Sequence, residues 1–180
     1  MPAARRPRRP FRSQPNEFLV RAIEGLEPGK ALDVAMGQGR NALYLASKGW
    51  QVTGFDIAGS GLRSCRETAR ALGLSVETVQ ATVEEFNYGR EKWDLVVLVY
   101  VPVRWDDEAM MGRIRDSVKP GGWVVVEAPV ETQRVPGDLA AGQLERVFDG
   151  FRLLMYDESL GTTEWFPRET VLARMVAEKP

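Results

Sequence analysis

Leu32-Asp33-Val34-Ala35-Met36-Gly37-Gln38-Gly39-Arg40-Asn41-Ala42 is the stretch on which the fold turns. The apolar run that begins at Ala31 has the length of a buried strand, and two glycines one residue apart interrupt it. Beyond them the chain reads as a helix that buries Leu43 and Leu45, with Asn41 as its expected cap. Gly37-Gln38-Gly39-Arg40-Asn41-Ala42 is thus a G-x-G-x-x-A turn between strand and helix. Glycines without side chains let a ligand approach the backbone, and a helix start offers N–H groups to an anion.

Downstream the alternation continues. Gly49 closes the helix, Gln51 to Asp56 reads as a second strand, and a helix expected to be capped by Ser60 places Leu62, Cys65, Ala69 and Leu72 on one face. Strands are expected at Ser75 to Ala81, Trp93 to Val101 and Trp123 to Ala128. A helix from about Asp107 to Val118, capped by Asp106 or Asp107, precedes the last of these. Upstream, Phe18, Leu19, Ala22, Ile23 and Leu26 fall at helical spacing and define an opening helix that Pro28-Gly29 ends. Such alternation implies parallel strands, right-handed crossovers and helices on both faces of the sheet. Continuous apolar runs such as Leu95 to Val99 agree, because parallel strands are buried on both sides. After a helix near Leu139 to Phe148, strands at Phe151 to Tyr156 and Thr170 to Ala177 are too close for a helical crossover and should form an antiparallel hairpin.

In an open parallel sheet, ligands bind beyond the carboxyl ends of the strands, where the strand order reverses. Asp56 ends the second strand, 19 residues after Gly37, where a carboxylate can accept both hydroxyls of a ribose. Strand, glycine turn, helix, strand and acid form a nucleotide pattern, compatible with a dinucleotide or with S-adenosylmethionine. In the alternative, Gly37 and Gly39 are turn residues and Asp56 is a surface acid.

Leu32 to Asn41 resembles the first motif of class I S-adenosylmethionine-dependent methyltransferases, and its Arg40-Asn41 continuation resembles the tellurite-resistance and thiopurine methyltransferase-like branch. The resemblance runs from about Gln14 to Pro180 and includes Val118-Lys119-Pro120-Gly121-Gly122, which matches the family's K-P-G-G turn. It implies a Rossmann-like α/β fold: a seven-stranded, mostly parallel sheet with helices on both faces and an antiparallel last strand. It also implies S-adenosylmethionine as cofactor and S-adenosylhomocysteine as product, with no metal. Carried over by position, Asp33 orients the methionine amino end, Gly37 and Gly39 make room for it, and Asp56 holds the ribose. Ile57 packs on the adenine, and Arg40 pairs with the cofactor carboxylate or faces solvent. Ala35, Met36, Asn41, Val83 and Val99 complete the expected cofactor wall. The chain departs from the motif in having Ala35 at the first glycine position and Asn41 at the third. Thr82 stands where many relatives carry an aspartate, so adenine recognition is expected from Thr82, Glu84 or backbone.

The methyl of a sulfonium is already activated, so a base is often optional, which suits a chain without histidine. A soft nucleophile such as a thiolate, a selenide or a tellurite oxyanion needs little deprotonation at neutral pH, so the expected acceptor is a thiol or a tellurite- or selenite-type oxyanion. No single catalytic residue emerges. Tyr100 and Trp105 are candidates to face the sulfonium, or packing residues, and Arg104 is a candidate to attract an anionic acceptor. The segment Tyr100 to Asp107 lacks the D-P-P-Y or N-P-P-Y pattern of enzymes that methylate base amines. Thr162-Thr163-Glu164-Trp165 is expected to wall the acceptor side. The opening helix is expected to fold over the cofactor, with Asn16 or Phe18 as second-tier contacts.

Composition bounds the rest. A chain of 180 residues with 44% apolar content suits one domain, expected over residues 13–180. The longest apolar run, Leu95 to Val103, is far short of the roughly 20 residues of a membrane-spanning helix, and no membrane partner is expected. One cysteine, Cys65, supports neither an intramolecular disulfide nor a thiolate metal site, so a reducing cytoplasm is the expected compartment. Arg5, Arg6, Arg8, Arg9 and Arg12 put five positive charges into residues 1–12. The formal net charge is -1, so the remainder carries -1 - 5 = -6. With Pro2, Pro7 and Pro10 interleaved, this arm is expected to be disordered. It is a solvated tail or a nucleic-acid tether, and the acidic remainder argues against nucleic acid. The expected partner is a small-molecule acceptor, with monomer or homodimer left open. The alternatives are a non-catalytic S-adenosylmethionine-binding protein and an RNA methyltransferase that uses the arm.

Overall fold

The computed structural model describes residues 14–130, 139–163 and 169–180. In chain order the elements are α1 (Glu17–Ala22), β1 (Lys30–Val34), α2 (Arg40–Ser47), β2 (Gln51–Asp56), α3 (Gly59–Ala71) and β3 (Val76–Gln80). They continue with β4 (Trp93–Val99), α4 (Glu108–Ser117), β5 (Val118–Pro129), α5 (Gln143–Val147), β6 (Arg152–Thr162) and β7 (Glu169–Glu178). The sheet has seven strands in the order β3-β2-β1-β4-β5-β7-β6. Strands β3, β2, β1, β4 and β5 pair in parallel, while β7 runs antiparallel to both β5 and β6. The expected architecture and the final hairpin are both present.

Strand β4 explains the layering. Leu95, Val97 and Val99 join one apolar cluster with Phe18 and Leu19 of α1, Leu45 of α2 and Leu62 and Cys65 of α3. Val96 and Leu98 join a second cluster with Met111 and Ile114 of α4 and Leu144 and Val147 of α5. Alternate residues of a strand point to opposite faces, so an uninterrupted apolar run is required where helices cover both sides. The order reverses between β1 and β4, and this opens a crevice at their carboxyl ends.

Several local expectations are corrected. Gly39, at φ 80°, occupies the N-cap position of α2, and Asn41 lies inside the first turn, where its amide oxygen accepts a 2.9 Å hydrogen bond from the Asn16 N–H. Ser60 does not cap α3, which starts after Ala58. Leu43 is half-buried, and Leu72 is 63% exposed because it follows the last turn of α3. Of the two expected caps of α4, Asp107 is the one that serves, its side chain accepting from the Met110 N–H at 3.0 Å. Helix α5 is shorter than expected, β5 begins at Val118, and β6 extends to Thr162. Strand β4 stops at Val99 because Tyr100 turns to φ 55°. The arginine arm of residues 1–12, and with it Glu164 and Trp165, lies outside the described residues.

Candidate cofactor-binding site

Asp33, Ala35, Met36, Gly37, Arg40, Asn41, Asp56, Ile57, Thr82, Val83, Glu84 and Val99 all line one cavity of about 450 Å³ at the reversal point. That volume lies within the ordinary range of small-ligand sites. These residues leave four different strand ends, so the topology, and no single motif, brings them together. Phe55, Ala81, Tyr100 and Pro102 complete the lining. Tyr100 and Pro102 belong to the segment after β4 that the sequence places beside the transferred methyl, whereas Phe55 and Ala81 are not anticipated as lining. The available signal for those two was their place at or next to a strand's carboxyl end.

The glycine turn is held from below and from the side. Asp56 accepts hydrogen bonds from the Gly37 N–H through Oδ2 and from the Ala58 N–H through Oδ1, each at 2.8 Å. A carboxylate has about four acceptor sites. Two are used here, and the half-exposed Asp56 borders the cavity with the rest. Gly39 does not line the cavity. Its role is packing: a Cβ there would lie 2.5 Å from Cys65 Sγ and 2.8 Å from Met36 Cε, on top of its left-handed φ. Cys65 is fully buried and its thiol is pushed up to about 11 by burial, so it serves as core.

Asp33 accepts the Ala42 N–H at 3.0 Å and is almost fully buried. Burial pushes its carboxyl up to about 7, against the pull of that N–H and of the Arg40 guanidinium; the nearby Asp56 charge adds to the rise. Arg40 is also buried, lines the cavity and donates to the Gln14 carbonyl at 3.3 Å.

The opposite wall is apolar. Phe55 stacks on Phe86 with ring centroids 4.0 Å apart, and both meet Tyr88 edge-on. Thr82 is committed locally: its hydroxyl donates to Glu85 at 3.2 Å and accepts from the Glu85 N–H at 3.2 Å, a reciprocal cap of the short turn after β3. Two of the three candidates on the reacting side are elsewhere. Arg104 is exposed and pairs with Asp106 at 3.2 Å, while Trp105 packs in the core beneath α4. Tyr100 remains at the cavity, in a left-handed conformation that a non-glycine residue adopts at a cost.

A glycine turn at a β1 carboxyl end, a carboxylate at the β2 end and a parallel sheet closed by an antiparallel hairpin define a nucleotide-type binding protein. Residues 31–122, slightly more than half of the chain, match the family model described as methyltransferase domain, and the chain belongs to that family. It is 27% identical over 152 residues to the probable S-adenosyl-L-methionine-dependent methyltransferase TehB of Haemophilus influenzae, covering 79% of this chain and 53% of the relative. It is 37% identical over 112 residues to the ubiquinone biosynthesis O-methyltransferase of Salmonella arizonae, covering 59% and 45% respectively. The crystal structure of TehB from Haemophilus influenzae superposes with a TM-score of 0.78 at 25% identity, covering 90% of this chain and 61% of that one. The chain spans about half the length of the curated relatives it matches. The fold is also shared, at 20% identity and a TM-score of 0.75, by the [4+2]-cyclase SpnF.

Proposed function

We propose that this chain is an S-adenosylmethionine-dependent methyltransferase of a small-molecule acceptor, a thiol or a tellurite- or selenite-type oxyanion. The observation that carries the reading is the cavity of about 450 Å³ in which Asp33, Arg40 and Asp56 face an apolar wall of Phe55, Ile57, Ala81 and Val83. That donor set fits the cofactor. The ligand carries a sulfonium and an ammonium, for which buried and half-buried carboxylates are suited, a carboxylate for Arg40, ribose hydroxyls for Asp56 and an adenine for the apolar wall. The space beside Gly37 is open, since a Cβ there would meet nothing within 4 Å.

When bound, the cofactor supplies a methyl already activated by the positive sulfur. The chain's own work is then to bind, to exclude water and to align the acceptor. Asp33 and Arg40 hold the methionine end, Asp56 holds the ribose, and Ile57 and Val83 pack on the base. Thr82 is occupied by Glu85, so adenine recognition falls to backbone groups or to Glu84. Tyr100 and Pro102 border the methyl side, and neither is a strong base, which favours acceptors that are already nucleophilic at neutral pH. S-adenosylhomocysteine is the product, no metal takes part, and the working compartment is a reducing cytoplasm.

The test is turnover. Purified chain, S-adenosylmethionine and a panel of small thiols, selenite, tellurite and catechols are assayed for S-adenosylhomocysteine by mass spectrometry. Product with a thiol or oxyanion and none with a catechol supports the reading. Product with catechols alone would move the acceptor to the oxygen class, and cofactor binding without any turnover would favour a binding protein.

A further inference from the structure

Glu127 is the most deeply buried glutamate described, 4% exposed, and it lies on β5 away from the cavity wall. Its carboxylate has two partners. Oε2 accepts from Nε of Arg174 at 2.7 Å, and Oε1 accepts from Nδ2 of Asn16 at 2.7 Å. Asn16 is 1% exposed and is held on every side: its Oδ1 accepts the Leu19 N–H at 2.8 Å as the N-cap of α1, which fixes Nδ2 toward Glu127. Its own N–H donates to Asn41 Oδ1 at 2.9 Å. Two residues earlier, the Gln14 carbonyl accepts from Arg40. The lead-in to α1 therefore touches two polar side chains of the cavity wall, Arg40 and Asn41, and one buried carboxylate on β5 ties that lead-in to the sheet. Glu127 reaches the site by a second route as well, because its carbonyl accepts the Tyr100 N–H at 2.8 Å and its register partner on β4 is Val99.

We infer that Glu127 is a positioning residue for the cofactor site: it anchors residues 14–16 through Asn16, and that segment orients Arg40 and Asn41 toward the ligand. The inference rests on the proposed function. A carboxylate buried only to brace the sheet would need Arg174 alone. Here one oxygen is spent on the N-cap of a six-residue helix whose other contacts lead to the cavity. Burying a charge is costly unless it is paired and hydrogen-bonded, so the Asn16 contact is part of what keeps Glu127 tolerable there. Lose it, and among the described residues the lead-in keeps its contacts to α2 and the packing of Phe18 and Leu19 but loses its tie to β5.

Two substitutions separate the anchor from the brace. Asn16→Ser keeps an N-cap, since serine caps helices well, but its shorter side chain ends before it reaches Glu127. Glu127→Gln keeps an acceptor for Asn16 but gives up the ion pair with Arg174. Titration with S-adenosylmethionine and thermal melts are recorded for wild type, both variants, Glu127→Ala and the Asn16→Ser/Glu127→Ala double variant. Asn16→Ser is expected to weaken cofactor affinity about tenfold while lowering the melting temperature by less than Glu127→Gln does. Glu127→Gln is expected to melt lower yet bind within about twofold of wild type. Glu127→Ala should bind about tenfold more weakly, and the double variant no worse, because both remove the same contact. If Asn16→Ser binds as wild type, or if affinity follows melting temperature across the series, Glu127 is a brace only and the inference fails. Wild type that does not bind S-adenosylmethionine would instead overturn the proposed function, and the inference with it.

Discussion

Asp33 is where the cost of the site is most visible. Its carboxyl ionises near 3.8 in an unfolded chain and at about 7 in the fold, mainly because it is buried. Between those values the folded state holds the extra proton, so stability falls as pH rises from 3.8 to about 7, and the full penalty is present above that. Asp33→Asn should therefore raise the melting temperature more at pH 8 than at pH 4.5 while abolishing cofactor binding, and melts at the two pH values read this directly. A cationic ligand favours the ionised carboxyl. Binding below pH 7 should accordingly release a proton, seen as a buffer-dependent heat in calorimetry, and affinity should weaken as pH falls from 7 to 5.5. Ala35 stores strain of another kind. It stands at the motif's first glycine position with φ 51°, and relief of that left-handed conformation offsets the added chain entropy of glycine. Ala35→Gly is expected to gain about 0.5–1 kcal/mol in a denaturant melt with cofactor affinity unchanged.

Helix α3 shows how an element can carry a site that it does not line. A Cβ on Gly61 would sit 2.6 Å from the Gly37 carbonyl oxygen, so the first turn of α3 packs directly on the glycine turn. Alanine normally stabilises a helix over glycine by about 1 kcal/mol. Here Gly61→Ala must push the glycine turn or the helix aside, and an affinity loss of at least about tenfold for S-adenosylmethionine is expected by calorimetry. The same elements show what could be read from sequence. Strand β4 was legible because its Leu95 to Val99 run is apolar on both faces, and Asp56 was legible because it ends the second strand, 19 residues after Gly37. Helix caps were not: Asn41 and Ser60 have capping side chains, but α2 starts on the left-handed backbone of Gly39 and α3 starts after Ala58. Trp105 and Arg104 looked equivalent to Tyr100 in sequence, and only the turn after β4 separates a core ring, a solvent-facing cation and a cavity residue. The Asn16 to Glu127 bond joins residues 111 apart, and no local pattern announces such a pair.

At the scale of the whole molecule, every described residue that lines the cavity falls between Asp33 and Pro102. With the arm read from its sequence as a solvated tail, removal of residues 1–12 with their five arginines is expected to leave cofactor affinity within about twofold. A chain whose remainder carries -6 should also show no salt-dependent RNA binding in a filter assay. Among the described residues no helix is long and apolar enough to cross a membrane. The methyltransferase-domain fold is shared by proteins of different reported activities, so fold alone does not decide the chemistry. The ligand decides it. The most direct test is isothermal titration of the purified chain with S-adenosylmethionine and, separately, with NADH, repeated on Asp56→Ala. The account predicts micromolar binding of S-adenosylmethionine, weakened about 100-fold by the substitution, and no binding of NADH; a preference for NADH, or no binding of S-adenosylmethionine, would contradict it.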